Sequence, residues 1–198
     1  MARTQSADYD KRREMIRQTA AELYASKGFL GASISAIAEA CDTSKSLIYH
    51  YYSSKEDILF DVMDAHVQSL VEAAQRVEGQ DAPPAVRLRQ LAHELMRLYN
   101  GAQVQQKILL SELHNLPPER RAEIVAHQRQ VMDVVDRLLA ALRPDLRDPP
   151  NLRRPIVMMF FGMLNWTHTW FNPHGPVTGD AIADLASDMF LSGLPAPI

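Results

Sequence analysis

Along almost the whole of this chain, apolar residues recur at spacings of three and four, broken only by short polar, glycine- or proline-containing stretches. That period belongs to the α-helix, and it excludes the two-residue alternation of a half-buried strand. From Tyr9 to Lys27, Ile16, Ala20, Leu23 and Tyr24 share one face with charges opposite, and Gly28 supplies a C-terminal stop. Ser33 reads as the N-cap of a short helix carrying Ile34, Ile37, Ala38 and Cys41, and Ser44 as the N-cap of a third helix over 45–51. Ser53 and Glu56 form an S-x-x-E capping box at the start of a fourth, with Ile58, Leu59, Val62 and Leu70 at helical spacing.

The remainder repeats the pattern. After a linker at 79–84, a fifth helix over 85–100 places apolar residues at 88, 91, 95 and 98, and Gly101 marks a bend. A sixth helix is expected over 103–116. Pro117 and Pro118 open a seventh, with Ile124, Val131, Val134, Val135, Leu138 and Leu142 on one face. The proline-rich stretch 143–155 reads as loop, followed by a nearly all-apolar helix over 156–171 and a last one over 180–191, closed by Gly193. The fold class expected is all-α, with about nine helices.

Composition bounds the partners. With 198 residues, 46% of them hydrophobic, one or two domains and a sizeable core are possible. No apolar run approaches the roughly 18 residues that span a bilayer, and the opening MARTQSADYDKRRE lacks a secretory h-region; no membrane partner and a cytoplasmic location are expected. The single cysteine, Cys41, excludes an internal disulfide framework and reads as a small core residue. Formal charge is −3, but unevenly spread: through Lys55 there are eight Lys/Arg against six Asp/Glu, and the rest carries 13 against 18. The basic surplus therefore sits at the N-terminal end, where an anionic partner would be met.

Two short helices joined by a tight turn and braced by a longer first helix make a helix-turn-helix pattern. The stretch SISAIAEACDTSKSLIYHYYSSKEDIL resembles the DNA-binding signature of the TetR family of bacterial transcriptional repressors, roughly T-x-x-x-I-A-x-x-A-G-V-S-x-G-x-L-Y-x-H-F-x-x-K-x-x-L. Ile37, Ala38, Ala40, Ser44, Ile48, Tyr49, Tyr52, Lys55 and Ile58 fall in place. Asp42 stands where glycine is usual, and Asp tolerates a left-handed conformation. Ser46 also replaces a common glycine, which puts a hydroxyl where the recognition helix begins. The resemblance implies a helix-turn-helix domain over 1–56 and a ligand-binding and dimerisation domain over 57–198. It also implies a homodimer on a palindromic double-stranded DNA operator, released when a small molecule enters the larger domain.

Helix N-termini present free N–H groups to phosphate, and Ser33 and Ser44 stand at two of them. Thr43, Lys45, Ser46 and His50 lie at the start and outer face of the third helix, within reach of base edges or phosphates. By resemblance Tyr49 donates its hydroxyl to phosphate and Lys55 makes an ionic contact. Leu47, Ile48 and Tyr52 face inward by spacing. The seven histidines form no H-E-x-x-H and no Cys/His cluster, and no G-x-S-x-G occurs, so neither a metal site, a catalytic residue nor a cofactor is expected. The arginines of PPERRAEI and NLRRP read as solvated faces or as contacts to an anionic ligand.

In FFGMLNWTHTWF, residues 160–171, Phe160, Met163, Trp166, Thr167 and Trp170 fall on or near one helical side. A helix apolar nearly all round is buried on several sides, as core, as a subunit interface or around a hydrophobic ligand. The segment G-M-x-N-W-T-x-x-W-[FY]-x-P-x-G is similar to TetR-type regulators of fatty-acid, steroid-ring or aromatic-acid catabolism, which sense acyl-CoA thioesters. That resemblance implies a hydrophobic or aromatic effector, with these five residues lining its site. The last two helices are expected to pair with a second copy, with Ile182, Leu185 and Met189 in the interface. A small all-α enzyme and a constitutive DNA binder without effector stay open as alternatives.

Overall fold

The computed structural model describes residues 2–147 and 152–194. The described residues form nine α-helices and three short 3-10 turns, with no strand: α1 (Ala2–Gly31), α2 (Ile34–Ala40), α3 (Lys45–Tyr51), α4 (Lys55–Glu78), α5 (Pro84–Gly101), α6 (Gln103–Ser111), α7 (Pro118–Leu142), α8 (Arg153–Asn165) and α9 (Gly179–Ser192). They cluster into two compact units, one of residues up to 67 with 104–125, the other of 68–103 with the residues from 126 onward. The sequence division at 56 follows the start of α4, whereas the compact units divide inside α4 and α7, each of which contributes to both.

In the first unit, Ile16, Ala20, Ala21 and Tyr24 of α1, Ile37 and Ala38 of α2, Ile48 of α3 and Ile58, Leu59, Val62 and Met63 of α4 are buried. The N-cap serines stand as expected: Ser33 Oγ accepts from the Ala36 amide at 3.1 Å and Ser44 Oγ from the Leu47 amide at 3.2 Å. The turn between α2 and α3 uses Asp42 at φ 48°, the left-handed conformation anticipated for it. The fourth helix is capped one residue later than the S-x-x-E reading: Ser54 Oγ accepts from the Asp57 amide at 3.1 Å. Gly28 (φ 72°, ψ 162°) breaks α1, and the chain runs on helically to Gly31. A buried pair joins α4 to α6, with His66 Nε2 2.8 Å from Gln106 Oε1. Burial pulls the His66 pKa down against that hydrogen bond, favouring the neutral ring.

In the second unit α5 packs along α9, and α8 packs against both. Leu88, Leu91, Leu95 and Tyr99 of α5 are buried, so the stripe drifts to 99 where strict spacing had named 98. On α7, Leu139 takes the buried place expected for Leu142. A polar seam borders the α5–α9 contact: Arg89 pairs with Asp184 (3.1 Å) and Asp188, and His93 with Asp180 (3.1 Å) and Asp184 (2.9 Å).

Three expected boundaries are corrected. The sixth helix ends at Ser111, and Leu113–Asn115 form a 3-10 turn. Of the loop expected over 143–155, Pro144–Arg147 form a 3-10 turn and α8 begins at Arg153, while 148–151 lie outside the described residues. The helix expected over 156–171 stops at Asn165 and tightens into a 3-10 turn, Trp166–Thr169. The cause is local: Thr167 Oγ1 donates to Leu164 O at 2.6 Å, Thr169 Oγ1 donates to Trp166 O at 2.8 Å, and His168 Nδ1 lies 2.7 Å from Asn165 O. Side chains that engage carbonyls three residues back compete with the α-helical ladder and favour the tighter turn.

Candidate DNA interface and apolar groove

α3 has only seven residues, and Ile48 is its one buried side chain. Lys45, Ser46, Tyr49 and His50 are exposed on it, related by i+4 steps, and Ser44 and Ser33 are exposed at the two capped N-termini. Thr43 is half-buried in the preceding turn. Of the inward set, Ile48 and Tyr52 are buried and Leu47 is half-buried. The result is a short helix held from one side, offering hydroxyls, a cation and an imidazole on the other.

Lys55 has a different setting. Its Nζ donates to the carbonyls of Phe29 (2.8 Å) and Ala32 (3.0 Å) and stands 4.0 Å from the centroid of the Phe29 ring. The ammonium that resemblance directs to phosphate therefore closes the break after Gly28, joining the end of α1 to the start of α4. Sequence spacing gave no sign of this, because the two acceptors are backbone carbonyls 26 and 23 positions away.

The C-terminal candidates divide. Met163, Trp166 and Trp170 line a groove of about 510 Å³ together with Ile182, Leu185 and Met189, and with Met159, Gly162 and Ala186, which the sequence reading missed. Met159 lies one turn before Met163, and Gly162 one turn before Trp166, which is the signal that could have found them. Phe160 and Thr167 do not line it. Phe160 is fully buried, its ring 5.5 Å from Phe161 and 5.1 Å from Phe190. Thr167 is buried on Leu164 O, with Met96 Sδ at 3.9 Å. The core side of α8 is formed by Ile156, Val157, Phe160, Phe161 and Leu164, all buried. What stays outside is a further stripe. Met159 is 68% exposed, Trp166 65%, Met189 61% and Leu185 57%.

Several other titratable groups are engaged in ion pairs, and no cluster of three or more metal-ligating side chains occurs among the described residues. His93 faces Asp180 and Asp184, and Glu94 pairs with Arg97 at 2.6 Å. Arg120 of PPERRAEI lies over the Phe60 ring at 4.3 Å, and Arg153 of NLRRP holds Asp136 through two bonds, 2.9 and 2.6 Å. No helix among the described residues is long and apolar enough to cross a membrane.

Comparison with known proteins bears on both surfaces. Residues 16–62 match the family described as bacterial regulatory proteins, tetR family, and residues 81–194 match the tetracyclin repressor-like C-terminal domain. A TetR-family transcriptional regulator from Bordetella parapertussis 12822 is similar in structure, with 37% identity, TM-score 0.86 and coverage of 92% of this chain and 95% of that one. AibR, in complex with isovaleryl coenzyme A and operator DNA, has 31% identity, TM-score 0.78 and coverage of 90% and 97%. The transcriptional repressor KstR2 of Mycobacterium tuberculosis is 22% identical over 193 residues, 93% of this chain and 94% of its own. With a capped helix-turn-helix in its first unit and both halves matched in register, the chain belongs to the TetR family of bacterial transcriptional regulators.

Proposed function

We propose that the protein is a ligand-responsive repressor that binds a palindromic operator as a homodimer and leaves it when a small hydrophobic or aromatic effector binds. The observation that carries this reading is α3, a helix buried only through Ile48 and exposing Lys45, Ser46, Tyr49 and His50. Two such helices in a dimer enter successive major grooves about 34–36 Å apart. The N–H groups capped by Ser33 and Ser44 and the Tyr49 hydroxyl hold phosphate, while Ser46 and His50 read base edges.

We assign the α8–α9 groove to pairing of the two copies. The groove sets two tryptophans beside the exposed Met159, Leu185 and Met189, a contiguous apolar surface of the kind that marks an interaction site. No charged side chain lines it, so it offers nothing to the phosphates of a CoA thioester. Met163, Trp166 and Trp170 are therefore interface residues in this reading, beside Ile182, Leu185 and Met189. The effector class rests on the likeness to AibR, whose structure holds isovaleryl coenzyme A. Near-complete switching needs the effector to prefer the released state by about 5.5 kcal/mol. A gel-shift assay on the DNA upstream of its own gene, with a panel of acyl-CoAs and the matching free acids, tests the reading. Retardation relieved by one thioester series is expected; retardation indifferent to every compound would leave a DNA binder without this switch.

A further inference from the structure

Tyr9 lies ahead of the stretch matched to the family's DNA-binding region, which begins at residue 16, yet its ring stands against α3. Its centroid is 4.6 Å from that of Tyr51 and 6.2 Å from that of His50, and the last two rings are edge-on at 5.2 Å. One turn along α1, Arg13 grips the next residue. Its guanidinium carbon is 5.6 Å from the Tyr52 ring centroid, its carbonyl accepts from the Tyr52 hydroxyl at 3.4 Å, and its Nη2 donates to Asp61 at 3.0 Å. The Tyr52 hydroxyl has one proton to share, and Asp61 is the nearer acceptor at 2.5 Å. Tyr9 and Arg13, an i,i+4 pair, thus hold the C-terminal end of α3 from one face of α1.

A seven-residue helix is too short to maintain its own geometry in water, and α3 buries only Ile48. Ser44 secures its N-terminus; the C-terminal end, where His50 sits, depends on what packs against it. We propose that Tyr9 is a specificity-determining positioning residue: through the Tyr9–Tyr51–His50 cluster it sets the pose of the His50 ring, and with it the bases read by the end of α3. The proposal rests on α3 being the recognition helix. Tyr9 touches no base in this scheme. Its contribution is edge-to-face and tilted ring packing, which fixes orientation as well as contact.

The test uses full-length parent, Tyr9→Phe, Tyr9→Leu, His50→Ala and the Tyr9→Leu/His50→Ala double variant. Each is taken through selection from a randomised duplex library, then titrated over a salt series against the parent's selected site and an unrelated duplex. Tyr9 is 39% exposed, so the loss of its ring spares the core, and circular dichroism verifies the fold. Tyr9→Phe should match the parent. Tyr9→Leu should keep parental non-specific affinity and salt slope, lose about tenfold on the parent's site, and relax the consensus at the positions that His50→Ala relaxes. The double variant should relax it no further, because the two residues act as one unit. Parental affinity and consensus in Tyr9→Leu overturn the proposal while leaving α3 as the reader. So does an equal loss on both duplexes with a shallower salt slope, which is the signature of a lost phosphate contact. If the parent itself enriches no motif, the recognition-helix reading falls and the proposal falls with it.

Discussion

Lys55 shows how a motif position gains a structural role when its atoms are placed. A lysine opening α4 just after the helix-turn-helix is expected to face phosphate. Its Nζ donates to the carbonyls of Phe29 and Ala32, which gives it a structural role and leaves one of its three N–H groups over. Hydrogen bonds from a charged donor to half-buried acceptors contribute about 1.5–3 kcal/mol. Lys55→Met is therefore expected to lower stability to chemical denaturation by about that amount. It should weaken DNA binding without changing the salt dependence. A salt slope reduced by about one unit would restore the phosphate role. Gly28 is the partner in this joint. With φ 72° and ψ 162° it occupies a region closed to L side chains, although an added Cβ would meet nothing nearer than Glu112 Oε1 at 3.9 Å. Gly28→Ala is thus a test of backbone strain alone, and a loss of about 1–3 kcal/mol in thermal or urea unfolding is expected.

Between elements, the seam joining α5 to α9 has a protonation requirement. Each ring nitrogen of His93 faces a carboxylate, Nδ1 to Asp180 and Nε2 to Asp184, and only the imidazolium donates from both. Partial burial lowers the His93 pKa, but the hydrogen bonds to Asp180 and Asp184 outweigh it and leave it raised above the ordinary 6.5. Asp184 is correspondingly held below the usual carboxylate range by His93 and then Arg89. A group with a raised folded-state pKa contributes stability that is complete below its unfolded-state value and fades as pH rises through the folded-state one. Melting temperature should accordingly fall as pH rises from about 6 through that raised pKa, and His93→Gln should flatten this part of the profile. An unchanged profile in His93→Gln would show that another group carries it. Arg89 keeps its pairs to Asp184 and Asp188 throughout, so the seam loosens but does not open.

At the scale of the molecule, the proposed function depends on a surface that a single chain leaves exposed. Leu185 and Met189 are more than half exposed, so an arginine at either site extends into water in the isolated chain and is desolvated only when a second copy arrives. Leu185→Arg and Met189→Arg are therefore expected to give folded, helical monomers rather than unfolded protein. Light scattering should report the monomer mass, and affinity for a two-half-site duplex should fall by about 100-fold or more as the linkage of two reading heads is lost. A variant that stays dimeric would falsify the assignment of the groove to pairing.

Helix number and type were legible from the sequence because amphipathic period, N-cap serines and glycine or proline stops are local properties, each acting within a turn or two of itself. The exposed face of α3 was legible for the same reason: Lys45, Ser46, Tyr49 and His50 sit on one short helix whose register the Ser44 cap sets. What packs across elements was not. The stop of α8 at Asn165 arises from Thr167, Thr169 and His168 taking carbonyls three residues back, a competition that apolar periodicity does not register. The split of Phe160 and Thr167 from Met163, Trp166 and Trp170 required knowing which side of α8 meets α5 and α9, since a helix apolar all round looks alike from every direction. Lys55 on two backbone carbonyls, Tyr9 on Tyr51 and His93 between two aspartates join residues from 23 to 91 positions apart, and only the folded chain brings such groups within contact.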